Sequence, residues 1–159
     1  MTAVAILVDV QNVYYTTRHA FRRNFDYNRF WAQVSEQGTI VLANAYAVDR
    51  GDEKQKQFQN ILRAIGFNVK LKPFIQRADG SAKGDWDVGI TIDALDAAQL
   101  ADTVVLVTGD GDFTILVDKL RNDLDRRVEV YGVPSLTAKS LMDAADAFIP
   151  IDDSLLLPG

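Results

Sequence analysis

The chain has 159 residues, 48% of them hydrophobic, with 17 Lys and Arg against 22 Asp and Glu for a formal charge of −5. This length supports one ordinary domain with a sizeable core, and the acidic balance argues against a non-specific nucleic-acid coat. There is no cysteine and one histidine, which excludes disulfides, thiolate nucleophiles, zinc-thiolate sites and most Ser-His chemistry, so any metal must be held by oxygen.

The opening run "MTAVAILVDV" lacks a basic start and reaches Asp9 too soon for a signal peptide, and no later run approaches membrane-spanning length. The expectation is a cytoplasmic protein with no membrane partner. "AVAILVDV" reads as a first strand, followed by helical patterns over 12–23 and 27–36, the second behind an Asp26 cap. A second strand, "TIVLANAYAV", leads to a helix over 53–65 stopped by Gly66, and "NVKLKPFI" reads as a third strand. After the loop "RADGSAKGDW" come a helix over 87–100, the strand "TVVLVTG", a helix over 113–124, the strand "RRVEVYGV" and a helix over 137–145. "AFIPI" reads as a short sixth strand and "DDSLLLPG" as a tail, so one domain spans 1–152 with 153–159 as the tail.

Strands alternating with helices predict a three-layer α/β sandwich around a mostly parallel, Rossmann-like sheet. The first and fourth strands are almost wholly apolar and suit central positions, whereas Lys70, Lys72 and Pro73 suit an edge. Strand order 3-2-1-4-5 follows.

Ligands of such sheets bind beyond the carboxyl ends of the strands, where the strand order reverses. Asp9 ends the first strand, Asp110 and Asp112 follow the fourth, and Asp87 opens the helix leading into the fourth. Three carboxylates about 5 Å apart at an effective dielectric of about 20 would repel by roughly 3 kcal/mol per pair, roughly 10 in all. That rivals the stability of a whole domain, about 5 to 15 kcal/mol. Either some acids hold protons or a cation sits among them, and hard oxygen ligands on an open rim suit Mg²⁺ or Mn²⁺. Simpler roles compete: Asp87 suits a helix N-terminus, and Asp110 and Asp112 suit a turn.

Together, "LVDVQN", "KGDWDVGITIDAL" and "VTGDGDF", in this order and spacing, resemble the LabA-like NYN domains of the PIN-like nuclease superfamily. The resemblance runs from the first strand to about Ile151. It implies a PIN-like fold and a Mg²⁺- or Mn²⁺-dependent ribonuclease, with Asp9, Asp87, Asp110 and Asp112 matching the acidic positions and Asn12 the asparagine of the first strand. Asp93 matches a further acid of the helix motif, but lies roughly 9 Å up the helix and a third of a turn round, which favours a supporting or structural role over ligation.

A cation held by aspartates can activate water for attack on a phosphodiester without a histidine base. Asn12 can orient water or a phosphate oxygen, and the Thr108 hydroxyl can fix the Asp110 loop; a helix cap and a strand-end hydroxyl are their alternative roles. Without the four site acids the balance is 17 basic to 18 acidic residues, or −1, so the low pI does not oppose an RNA substrate, expected to be single-stranded. Lys83, which the family motif also carries, and the pair Arg18 and Arg22 are candidate phosphate contacts, with solvated surface as the alternative. His19 reads as surface. Trp86, in a polar loop, is a candidate for base stacking, whereas Tyr14 and Tyr15 at helical spacing read more simply as core.

Other functions remain to be weighed. A haloacid-dehalogenase-type phosphatase wants a second acid where Gln11 stands, a receiver domain wants an acceptor aspartate near "PFIQR", and a dinucleotide-binding domain wants a G-x-G-x-x-G turn. A non-catalytic regulatory or scaffolding domain acting through a protein or RNA partner is the principal alternative. "SLLLPG" and an apolar sheet edge leave a homodimer open.

Overall fold

A computed structural model describes residues 2–73, 75, 76, 82, 83 and 85–159, the side chains of 75, 76, 82 and 83 excepted. The main strands are β1 (Ala3–Asp9), β2 (Thr39–Asp49) and β3 (Asn68–Pro73), then β6 (Thr103–Val107), β7 (Arg127–Gly132) and β8 (Ala147–Pro150). They form one six-stranded sheet in the order β3-β2-β1-β6-β7-β8, and every neighbouring pair is parallel. The expected order is thus borne out, and "AFIPI" extends it by β8 at the far edge, where Pro150 removes no needed ladder donor.

The centre of the sheet follows from burial on both faces. All five residues of β6 and the five inner residues of β1 are buried. Alternation sends Val4, Ile6 and Val8 to one face, where Val13, Phe30, Val34 and Leu62 pack on them, and Leu7 to the other, beside Ile90, Leu116 and Leu141. The first layer consists of α1 (Val10–Phe21), α2 (Tyr27–Ser35) and α3 (Glu53–Ile65), the second of α4 (Asp87–Ala97), α5 (Thr114–Asp118) and α6 (Lys139–Ala144).

Local signals explain the helix starts of the first layer. The carboxylates of Asp9, Asp26 and Asp52 accept the backbone N–H three residues on, capping α1, α2 and α3. Gly66 ends α3 at φ +136°, and a Cβ there would stand 2.7 Å from the Trp31 ring.

Three segments differ from expectation. The predicted helix over 113–124 divides into a 3-10 turn at Gly111–Phe113, the short α5, and a π turn at Lys119–Asp123 closed by Leu124 N–H donating to Lys119 O at 3.1 Å. Apolar spacing does not distinguish these three windings. β4 (Ile75–Gln76) starts on the expected last residue of the third strand and pairs antiparallel with β5 (Ala82–Lys83) inside the predicted loop, strands too short to show a period. The C-terminal segment packs: Leu155 and Leu156 are buried, Leu156 bridges Phe25, and Asp153 pairs with Arg23. No helix among the described residues is long and apolar enough to cross a membrane.

Candidate metal centre

Asp9 is the last residue of β1 and the N-cap of α1, which fixes its carboxylate at the carboxyl end of a central strand. Its Oδ1 accepts from Asn12 N–H at 3.4 Å, and its Oδ2 accepts from the Thr108 hydroxyl at 3.2 Å. The same hydroxyl accepts from Asp110 N–H at 3.2 Å, and Asn12 Oδ1 accepts from Gly109 N–H at 2.8 Å. Two side chains therefore pin the loop after β6 to the end of β1. Gly109 is required there: a Cβ would stand 2.7 Å from the carbonyl oxygen of Leu136, and backbone does not give way.

This pinning brings Asp110 and Asp112 opposite Asp87. Carboxylate oxygens of Asp87, Asp110 and Asp112 all lie within 4.8 Å of one another. The Asp110 carboxylate also accepts from Asp112 N–H at 2.9 Å, so its turn-forming role coexists with its place in the cluster. Asp9 stands just behind these three, linked to them through Thr108.

Burial and then charge raise Asp87 and Asp9. Burial, then the charges of Asp110 and Asp85 and a hydrogen bond shared with Asp110, push Asp87 up to about 7. Burial pushes Asp9 up to about 6 against the opposing hydrogen bonds from Asn12 and Thr108, with Asp110 and Asp85 adding to the rise. Among the described residues no ion pair joins any of Asp9, Asp87, Asp110 or Asp112 to a Lys or Arg. Hard oxygen donors at this spacing, lacking a cationic partner among the described residues, fit a divalent cation.

Asp85 is the acid that the sequence reading missed. It is exposed, its carboxylate accepts from Asp87 N–H at 3.3 Å, and its charge raises both Asp9 and Asp87. The signal available was its place two residues before Asp87 in "GDWD".

Asp93 points elsewhere: its Oδ2 accepts from the Tyr46 hydroxyl and from Lys70 Nζ, each at 2.8 Å, tying α4 to β2 and β3. Trp86 is committed to packing rather than free for stacking. Its indole N–H donates to Ala47 O at 2.9 Å, its ring lies 5.3 Å from that of Tyr46, and Lys72 Nζ sits 4.6 Å above it. Gly89 makes room, since a Cβ there would meet the ring at 2.5 Å. Tyr14 and Tyr15, expected in the core, are 56% and 63% exposed. Arg18 and Arg22 are exposed on and just after α1, with Arg18 Nη1 donating to Arg22 O at 3.2 Å. Lys83 has its backbone in β5, and its side chain lies outside the described residues.

Residues 3–152 match the NYN domain. The chain belongs to the NYN domain family. Within that family it resembles LabA-like members: it is 28% identical over 161 residues to the low amplitude and bright protein LabA of Synechococcus elongatus, covering 94% of this chain and 84% of that one. The NYN fold seen here superposes with a TM-score of 0.93 on the crystal structure of a protein of unknown function from Vibrio parahaemolyticus. That protein is 57% identical, with 98% of this chain and 96% of that chain covered.

Proposed function

We propose that this NYN domain is a metal-dependent ribonuclease that hydrolyses phosphodiester bonds of single-stranded RNA. The observation that carries the proposal is the convergence of Asp87, Asp110 and Asp112 oxygens within 4.8 Å without a cationic side chain among the described residues to balance them. Family membership supports it, because a NYN domain is akin to PIN-like nucleases.

In this reading Asp87, Asp110 and Asp112 hold a Mg²⁺ or Mn²⁺ ion, and Asp9 completes the anionic rim. A divalent ion bound there lowers the pKa of water and offsets charge on the attacked phosphate. Asn12 and Thr108 keep the Asp110 loop in place, Asp93 supports α4 from behind, and Lys83, Arg18 and Arg22 contact RNA phosphates. Asp87 and Asp9, raised to about 7 and about 6, are the groups that would give up protons as a cation binds.

The test is incubation of the purified protein with labelled single-stranded RNA and DNA in Mg²⁺, Mn²⁺ or EDTA. RNA chain cleavage that stops in EDTA is expected. RNA left intact in every metal would reject the ribonuclease in favour of the regulatory or scaffolding reading.

A further inference from the structure

We infer that Tyr15 and His19 form a stacking platform on α1 that receives bases of a single-stranded RNA and leads the strand to the acidic cluster. The inference rests on the ribonuclease reading for the identity of the strand, and on the geometry of α1 for its path.

Helix α1 starts at the Asp9 cap, so its first turn belongs to the site. At about 100° per residue, Asn12, Tyr15 and His19 fall within about 60° of one another, a stripe rising about 10 Å from the loop that Asn12 holds. The rings of Tyr15 and His19 are stacked, with centroids 5.8 Å apart and planes 18° from parallel. Tyr15 is 63% exposed, so one ring face adds nothing to the core. The inner side of the helix is already filled by Val13, Thr16 and Thr17, all buried.

Charge identifies the occupant. Arg18 lies beside His19, and Arg22 caps the helix; both are exposed. Aromatic faces flanked by guanidinium groups suit a strand whose bases stack while its phosphates meet cations. A duplex keeps its bases stacked on each other and offers no free face. Tyr14, 56% exposed on the adjoining face, extends the aromatic surface. This tolerance for any base, combined with continuity into a phosphodiester-cleaving centre, gives preference for strand form rather than for sequence.

The experiment uses a short single-stranded RNA carrying 2-aminopurine, titrated in EDTA so that binding is read without cleavage, against the parent, Tyr15→Ala, Tyr15→Phe and His19→Ala. Tyr15→Ala is expected to lose about tenfold or more in affinity, the scale of one lost base stack, together with the fluorescence quench. Tyr15→Phe keeps both, His19→Ala falls between, and duplex RNA binds parent and variants alike. With Mn²⁺ present, Tyr15→Ala should raise KM and leave kcat unchanged. Unaltered melting of these surface variants confirms that the fold is intact.

A Tyr15→Ala protein with parental affinity and quench would overturn the platform, as would a parent that binds no single strand. So would self-association of the parent lost in Tyr15→Ala without a change in RNA affinity, which would assign this face to a second copy. The two proposals fail separately. Tyr15-dependent binding without cleavage in any metal removes the ribonuclease and keeps the platform, whereas cleavage indifferent to Tyr15 does the reverse.

Discussion

Carboxylate oxygens of Asp87, at the start of α4, and Asp110, in the loop after β6, lie within 4.8 Å of each other. Burial, and then the charge of Asp110, push Asp87 up to about 7, so Asp87 is partly protonated near neutral pH when no cation is bound. In the proposed metal centre a cation and a proton therefore compete for the same oxygens.

That competition has a sign. Asp9 and Asp87 titrate at about 6 and about 7 in the folded protein, against an ordinary value of 3.8. Between pH 4 and 7 the folded chain thus holds protons that the unfolded chain has released, and stability falls as pH rises through this window. Asp9 alone contributes on the order of 1 to 3 kcal/mol across it. Calorimetry in EDTA should give a higher Tm at pH 5 than at pH 7.5. With Mn²⁺ the order should narrow or invert, because cation affinity grows as the protons leave. A metal-free protein more stable at pH 7.5 than at pH 5 would contradict the protonated cluster.

Asp110→Asn keeps the side-chain shape and the acceptor for Asp112 N–H while removing one charge. Cation affinity and RNA cleavage should each fall at least a hundredfold. The metal-free variant should nonetheless be as stable as the parent or more so. Two pairwise repulsions of about 3 kcal/mol each are relieved, reduced by solvent and by the proton already on Asp87. Titration calorimetry, a cleavage assay and melting in EDTA on this one variant check all three outcomes. Normal Mn²⁺ binding would remove Asp110 from the centre.

Asn12→Ala deletes the acceptor for the buried Gly109 N–H. Leaving that donor unpaired should cost about 1 to 3 kcal/mol in urea unfolding, with the denaturant slope unchanged. Asn12→Asp restores the acceptor but adds a further charge beside the four site acids, so its stability should recover with Mn²⁺ and not in EDTA.

Asp93→Asn tests the opposite expectation. The amide oxygen still accepts from Tyr46, and the lost ion pair with Lys70 is partly exposed, with side chains 42% and 22% accessible. The expected cost is about 1 kcal/mol or less. Mn²⁺ affinity should stay within about twofold of the parent, since a contribution of under about 0.4 kcal/mol separates the two by that factor. A tenfold loss in titration calorimetry would bring Asp93 into the ion's coordination after all.

Much of this was legible in the chain because burial on both faces leaves a continuous mark. "AVAILV" and "TVVLV" suit central strands, and the strand-end rule then put Asp9 and Asp110 on the same rim. Hydropathy failed on α1. Thr16 and Thr17 are buried there because their hydroxyls donate back to Asn12 O and Val13 O, each at 2.8 Å, satisfying groups that would otherwise need water. With threonines inside, Tyr14 and Tyr15 are turned out. Trp86 misled in the opposite way, because a polar stretch of sequence conceals an indole anchored to β2. Asp85 carried no periodic signal at all, and only the fold shows how close its charge lies to the cluster.

The bond between Asp9 and Thr108 joins residues 99 positions apart in the chain. Loops of that length close late in folding, after local helices and hairpins have formed. During synthesis, β1 leaves the ribosome long before β6 exists to lie beside it, so Asp9 waits without Thr108, Asp110 or Asp112. No shorter N-terminal fragment lacking β6 brings Asp9 to Thr108, Asp110 and Asp112. If the proposed cation binds at this cluster, its uptake reports the pairing of β1 with β6, before β7 and β8 add to the sheet.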